Sequence, residues 1–345
     1  IFVLFPDNRN EEGVTDYGVP YKAIHSGIRD KYPSNSHLLL KAIDHFRIIR
    51  KEVKGYDAIW CADPETVLVA ALIKTKYLLW DLHELPIGLT YNRLGRLCIK
   101  QIFNRCKVIV HANPQRIDYL ESIGCIKDKS KHIALRNYPQ FDDIDSEYDE
   151  LYDNFIKWKQ GRRCVYLQGL TGDGRSDYET IASVLSFPDL IAVIVGRFNE
   201  NTKSRLLEKF GENTMAKRVF FVGAISQLKI PQYIKQCFTS LIFYKNVSPN
   251  NYYCEANRFY QAVIMGLPVV VGNNPSMKEL VDKYGFGVSI DDDGGNIEMI
   301  ISGLKEVINN YDVYQSNIEK NKKYLSWDIQ DPEIIKIVNL FLCYN

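Results

Sequence analysis

Residues Tyr253 to Gly272 read YCEANRFYQAVIMGLPVVVG, and this stretch decides how the rest of the chain is organised. It joins an Asn-Arg pair, a glutamine one turn later, an apolar helical face, and Gly-Leu-Pro running into Val269-Val270-Val271. Asn257 and Gln261 are four apart and Arg258 and Gln261 three apart, so the spacing predicts that all three side chains share one face of a helix start. A helix N-terminus favours anions through its free N–H groups and its dipole, and Arg258 adds a full charge. The stretch alone fits either an anion site or an ordinary βαβ helix with a solvated polar face.

Working outward, the chain has 345 residues, enough for two domains with separate cores. Apolar residues make 46% and charged residues 25%, as in soluble globular proteins, and no apolar run reaches the ~18 residues of a spanning helix. A net charge of +1 supplies no basic field for nucleic acid, so an anion site must be local. The eight cysteines form no CxxC pair and no cluster with histidine, which favours free thiols over a disulfide framework or zinc site. A cytoplasmic location is expected, and the composition is compatible with peripheral contact at the inner membrane face.

Strand and helix alternate along most of the chain, which predicts parallel sheets covered by helices. An apolar strand over residues 1–5 and a weakly periodic polar stretch precede an amphipathic helix over 38–53, with Ser36 as its N-cap. The strand Tyr77 to Trp80 runs into Asp81-Leu82-His83-Glu84, at the strand end where open α/β sheets bind ligands. His83 and Glu84 could orient a hydroxyl-rich substrate there, or merely cap the next segment. Phe141 to Asp153 holds seven acidic residues with no sustained apolar pattern and reads as an exposed connection. After the strand Cys164 to Gln168 comes Gly169-Leu170-Thr171-Gly172-Asp173-Gly174-Arg175. Its glycines (Gly169, Gly172, Gly174) can turn N–H groups inward as an anion cradle, and Arg175 adds charge. The spacing is neither a Walker sequence nor GxGxxG, and a plain βα turn also fits. Ser176 and Glu179 have capping-box spacing. Asp291-Asp292-Asp293 reads as an acidic turn capping the helix that begins near Asn296, in preference to a metal motif.

Taken in order, these residues resemble the family 4 retaining glycosyltransferases. Asp81-Leu82-His83-Glu84 is similar to that family's Asp-x-His-Glu strand end. Arg136-Asn137-Tyr138-Pro139 is similar to its segment before the interdomain linker, and Gly169 to Arg175 to its donor-diphosphate loop. CEANRFYQAVIMGLPVVV resembles its PNKLFEYLAAGKPVV motif. The resemblance implies an α/β fold of GT-B type, two Rossmann-like domains facing each other across a cleft. Its domains would be an acceptor domain over 1–140 joined by the C-terminal helix 326–345, a linker over 141–160, and a donor domain over 161–325. Ile1 would correspond to the second strand, with the first βα unit and its glycine loop absent or cut away.

The resemblance also implies a nucleotide-sugar such as a UDP- or GDP-sugar as co-substrate, no cofactor and no metal, and a saccharide, lipid-linked or protein acceptor. Arg175 and Arg258 would neutralise the leaving diphosphate, and His83 would contact the sugar or acceptor. Glu84, Gly169, Gly172, Gly174, Glu255, Asn257 and Gln261 would line the substrates, with Gly223 near the base. Gln261 departs from the family's glutamate, which holds the ribose hydroxyls; it keeps an acceptor oxygen but loses the charge. Leu170 stands where many members carry a second cation. The alternatives are an epimerase of the same fold and a catalytically silent nucleotide-sugar-binding protein.

Overall fold

Runs rich in β-branched residues, bounded by glycine and proline, form the strands of this protein, and apolar-periodic stretches between them form its helices. The computed structural model describes residues 3–32, 36–139 and 150–342. The chain divides into unit 1, Ile1–Arg136 with Pro332–Asn345, and unit 2, Asn137–Asp331.

Unit 1 begins with β1 (Val3–Asp7), β2 (Glu11–Val14) and β3 (Pro20–His25) in the order β1-β3-β2, β1 parallel and β2 antiparallel to β3. This corrects the expectation of a single strand before residue 38. The polar stretch shows no apolar alternation because β2 is Glu-Glu-Gly-Val with no buried side chain. Its turn is closed by the Gly18 N–H donating to the Thr15 carbonyl at 2.8 Å, with Gly18 at φ +75°. The helix Leu38–Glu52 follows, capped at His37 rather than at Ser36. Then β4 (Ala58–Ala62), β5 (Tyr77–Leu82), β6 (Val108–His111) and β7 (His132–Ala134) form a parallel sheet in chain order. The C-terminal helix Asp331–Leu342 returns to this unit and packs Ile337 and Phe341 against Leu79, Val108 and Val110.

Unit 2 contains β8 (Arg163–Gln168), β9 (Leu190–Val195), β10 (Val219–Gly223), β11 (Thr239–Ile242), β12 (Val269–Val271) and β13 (Gly287–Ser289). All six are parallel, in the order β10-β9-β8-β11-β12-β13. Both faces are covered, which is why β9 and β12 are apolar throughout. Cys164, Tyr166, Val269 and Val271 face a core with Phe259, Val263 and Met277. Val165, Leu167 and Val270 face the opposite core with Ile181, Ile300 and Leu304. Within the stretch read as a connection, residues 141–149 lie outside the described residues. Glu150–Lys159 is a helix that buries Phe155 completely in unit 2.

The chain walks from β8 outward to β10, then crosses back to lay β11 on the other side of β8. The loops leaving β8 and β11 therefore diverge, the topological switch point at which open parallel sheets bind ligands. Each unit carries a parallel sheet covered by helices, the Rossmann-like domain type of which the GT-B fold has two. No helix among the described residues is long and apolar enough to cross a membrane.

Candidate functional site

At the switch point of unit 2, three strands end on glycines with positive φ: Gly169 after β8 (+62°), Gly196 after β9 (+101°) and Gly223 at the end of β10 (+80°). Gly196 N–H donates to the Gly223 carbonyl at 2.7 Å, and a Cβ on Gly196 would stand 3.4 Å from Gly169 N. That is ordinary contact, so it is the positive φ at these strand ends, more than space, that calls for glycine. In the loop, Gly172 takes φ +136°, and the Gly174 carbonyl accepts from Lys245 N–H at 3.0 Å and from Asn251 Nδ2 at 3.4 Å. The loop is thus fastened to the segment that follows β11.

The two arginines singled out in the sequence come together around Tyr244. The guanidinium carbon of Arg175 lies 5.1 Å from the centre of the Tyr244 ring and that of Arg258 lies 5.0 Å from it. Arg175 Nη1 donates to the Gly169 carbonyl at 2.9 Å. Arg258 Nη1 donates to the Gln168 carbonyl and Nη2 to the Phe243 carbonyl at 3.2 Å. Arg258 is 5% exposed, and its Nε has no hydrogen-bond partner among the described residues. Desolvation, with Arg175 adding to it, holds the Arg258 pKa below the ordinary arginine value. A buried cation beside a half-buried one is a source of positive potential that an anion would relieve.

The helix Asn257–Ile264 does not present one shared polar face, which corrects the reading from spacing. Asn257 is exposed, Arg258 is turned into the unit, and Gln261 is half-buried. The apolar residues flanking Arg258 carry it inward with them. Gln261 Oε1 is buried and accepts no hydrogen bond from the described residues. Glu255 is half-buried just before the helix. Leu170 is buried in the core and offers nothing at the position of a second cation.

Two local expectations fail here. Ser176 caps the helix Asp177–Leu185 by position but sits at φ +52° and makes no side-chain cap bond, so the capping box is not formed. Glu179 instead takes Lys245 Nζ at 2.8 Å. The N-cap of the helix Ile297–Asn309 is Asn296 itself, while Asp292 and Asp293 accept turn N–H groups from Gly294, Gly295, Asn296 and Asn246.

A second polar cluster lies at the carboxyl ends of β4 and β5 in unit 1. Exposed His83 stands 3.5 Å from Asp81, which also accepts from the Trp60 indole at 3.2 Å. The hydrogen bond with Asp81 raises the His83 pKa against the opposing effect of burial. Buried Arg116 donates to the His83 carbonyl and places Nη2 3.8 Å from Glu84. Gly196, Tyr244, Asp63 and Arg116 were missed by the sequence reading. Gly196, at a strand end like Gly169, was the one with a visible signal.

Residues 178–324 match the family model of glycosyl transferases group 1. By sequence, no curated protein matches the chain. Among solved structures, it is similar to HepE from Anabaena in complex with UDP, at 14% identity and a TM-score of 0.70, covering 94% of this chain and 87% of that one. It is similar to sucrose-phosphate synthase from Thermosynechococcus elongatus, at 13% identity and a TM-score of 0.73, covering 97% and 87%. It is also similar to a UDP-forming trehalose-phosphate synthase from Burkholderia xenovorans, at 9% identity and a TM-score of 0.71, covering 99% and 94%. At these identities the likeness is one of fold.

Proposed function

We propose that this protein is a glycosyltransferase that moves a sugar from a nucleotide-sugar donor to an acceptor hydroxyl with retention of configuration. The observation that carries the proposal is the pair of arginines around Tyr244, beside a glycine loop at the switch point of unit 2. Arg175, Arg258 and the loop N–H groups neutralise the charge that develops on the leaving diphosphate, an electrostatic form of catalysis set in place before the reaction. Gln261 Oε1, buried without a donor among the described residues, accepts from a ribose hydroxyl. UDP is the favoured nucleoside diphosphate, because HepE, of the same fold, is solved with UDP and with UDP-glucose. His83 and Glu84 contact the sugar or the acceptor, which is a saccharide, a lipid-linked saccharide or a protein.

Titration calorimetry with UDP, GDP, UDP-glucose and NAD, followed by turnover assays over an acceptor panel, tests this reading. The expected outcome is UDP binding, together with sugar transfer that preserves the anomeric configuration. Conversion of the donor without an acceptor would assign the protein as an epimerase, and binding without turnover as a silent binding protein. A preference for NAD over every sugar nucleotide would overturn the proposal.

A further inference from the structure

Directly after β4, Asp63 adopts φ +63° and ψ 163°, a conformation that residues with side chains rarely take. Such a residue persists only where its surroundings over-determine it. Here the Asp63 N–H donates to the Asp81 carbonyl at 2.8 Å. The Asp63 carbonyl accepts from the Trp80 indole at 3.1 Å, from Thr66 Oγ1 at 2.8 Å and from Thr66 N–H at 3.2 Å. Trp80 is itself completely buried. The register pairs Ala62 with Asp81, so this fastening sets Asp63 beside the segment that leads to His83.

What the fastening positions is a carboxyl group. A turn that required only this backbone would be cheaper with glycine. The Asp63 side chain makes no cap bond to the helical turn Pro64–Thr66, and its Oδ1 is buried without a partner among the described residues. The neighbouring carboxylates are engaged: Asp81 by Trp60 and His83, Glu84 by Arg116. Burial raises the Asp63 pKa, and the charges of His83 and Arg116 oppose the shift.

Carboxylates outnumber cations around that oxygen, with Asp63, Asp81, Glu65 and Glu84 set against His83 and Arg116, which favours a hydroxyl donor over an anion. Trp60, hydrogen-bonded to Asp81, is 51% exposed, which provides an apolar surface next to hydroxyl acceptors. A neutral saccharide, with an apolar ring face and donating hydroxyls, satisfies both features. We propose that Asp63 is the hydroxyl acceptor of a saccharide subsite in unit 1, holding a neutral pyranose beside His83 and Trp60. The role of that sugar in transfer rests on the glycosyltransferase reading; the subsite itself does not.

The test labels the histidine rings of the full chain with 13C and titrates it with the methyl α-glycosides of glucose, mannose and galactose. Shifts at His83 report binding in the wild type, Asp63→Asn and Asp63→Gly. At least one glycoside should move His83 saturably in the wild type, and both variants should bind it at least about 10-fold more weakly. Asp63→Gly should keep the wild-type melting temperature, since glycine accepts this backbone, and UDP affinity by calorimetry should be equal in all three. Equal glycoside responses in the three proteins, or no shift with any glycoside, would overturn the proposal. Should UDP fail to bind while the glycoside series behaves as expected, the donor reading falls and the subsite stands.

Discussion

Arg175 and Arg258 are close together but differently held, and their variants should differ accordingly. Arg175 is half-buried, and among the described residues its side chain hydrogen-bonds the Gly169 carbonyl of its own loop, so removing it should leave the fold intact. Arg175→Ala should weaken UDP binding by about 10- to 100-fold, the value of one charge-assisted contact, and leave uridine binding unchanged in calorimetry. Equal losses for both ligands would place Arg175 away from the diphosphate. Gln261→Ala should instead weaken UDP and uridine alike by about 5-fold, because its buried oxygen would meet a ribose hydroxyl that both ligands carry. Arg258 bridges the carbonyls of Gln168 and Phe243 from a buried position, so Arg258→Ala should lower the melting temperature as well as the affinity.

At the level of elements, the acidic turn after β13 depends on close approach to its neighbours. Gly294 lies in the acidic turn at φ +93°, and a Cβ there would come within 2.4 Å of Phe243 Cβ and 2.8 Å of Ser176 Oγ. These neighbours carry the ends of β11 and of the glycine loop, so the turn braces the site from beneath. Gly294→Ala should destabilise unit 2 by about 3 kcal/mol or more, read as a shift of the denaturant midpoint at constant m-value. The same packing explains the failed capping box: Ser176 is completely buried against these elements, and the helix start is fixed by them rather than by its own side chain.

For the whole molecule, acid should act through unit 1. His111 Nε2 and His132 Nδ1 are 2.9 Å apart, both rings are buried, and they stack at 5.2 Å between centres. One proton fits between the facing nitrogens and a second does not. Desolvation lowers the His111 pKa well below its ordinary value and lowers that of His132 to about 4. Buried His45 is shifted the same way by desolvation. The unfolded chain therefore binds protons that the folded chain refuses. The stability is fully present above the ordinary histidine pKa of about 6.5 and is lost as pH falls toward about 4. Each group adds a slope of at most about 1.4 kcal/mol per pH unit. Chemical denaturation between pH 7 and 4.5 should show this fall, and His132→Gln should reduce its slope.

The sequence by itself determined the alternation of strands and helices, because buried parallel strands are apolar on both faces and glycine or proline marks their ends. It also singled out the glycine loop and the two cations that the structure groups at the switch point of unit 2, since strand, glycine loop, cation and helix start follow one another within a few residues. The hairpin of β2 and β3 stayed hidden, as two short, half-exposed strands with only Ala23 buried leave no apolar period. Only the tertiary structure decided that Arg175 and Arg258, eighty-three positions apart, flank one tyrosine, because strand order in a sheet is not written locally. It alone turned Arg258 inward, and it alone fixed Asp63 in a conformation that its own sequence neighbourhood would not choose. In the stretch 253–272, the residue types were legible and their directions were not, since packing against β8 and β11 set which way each side chain points.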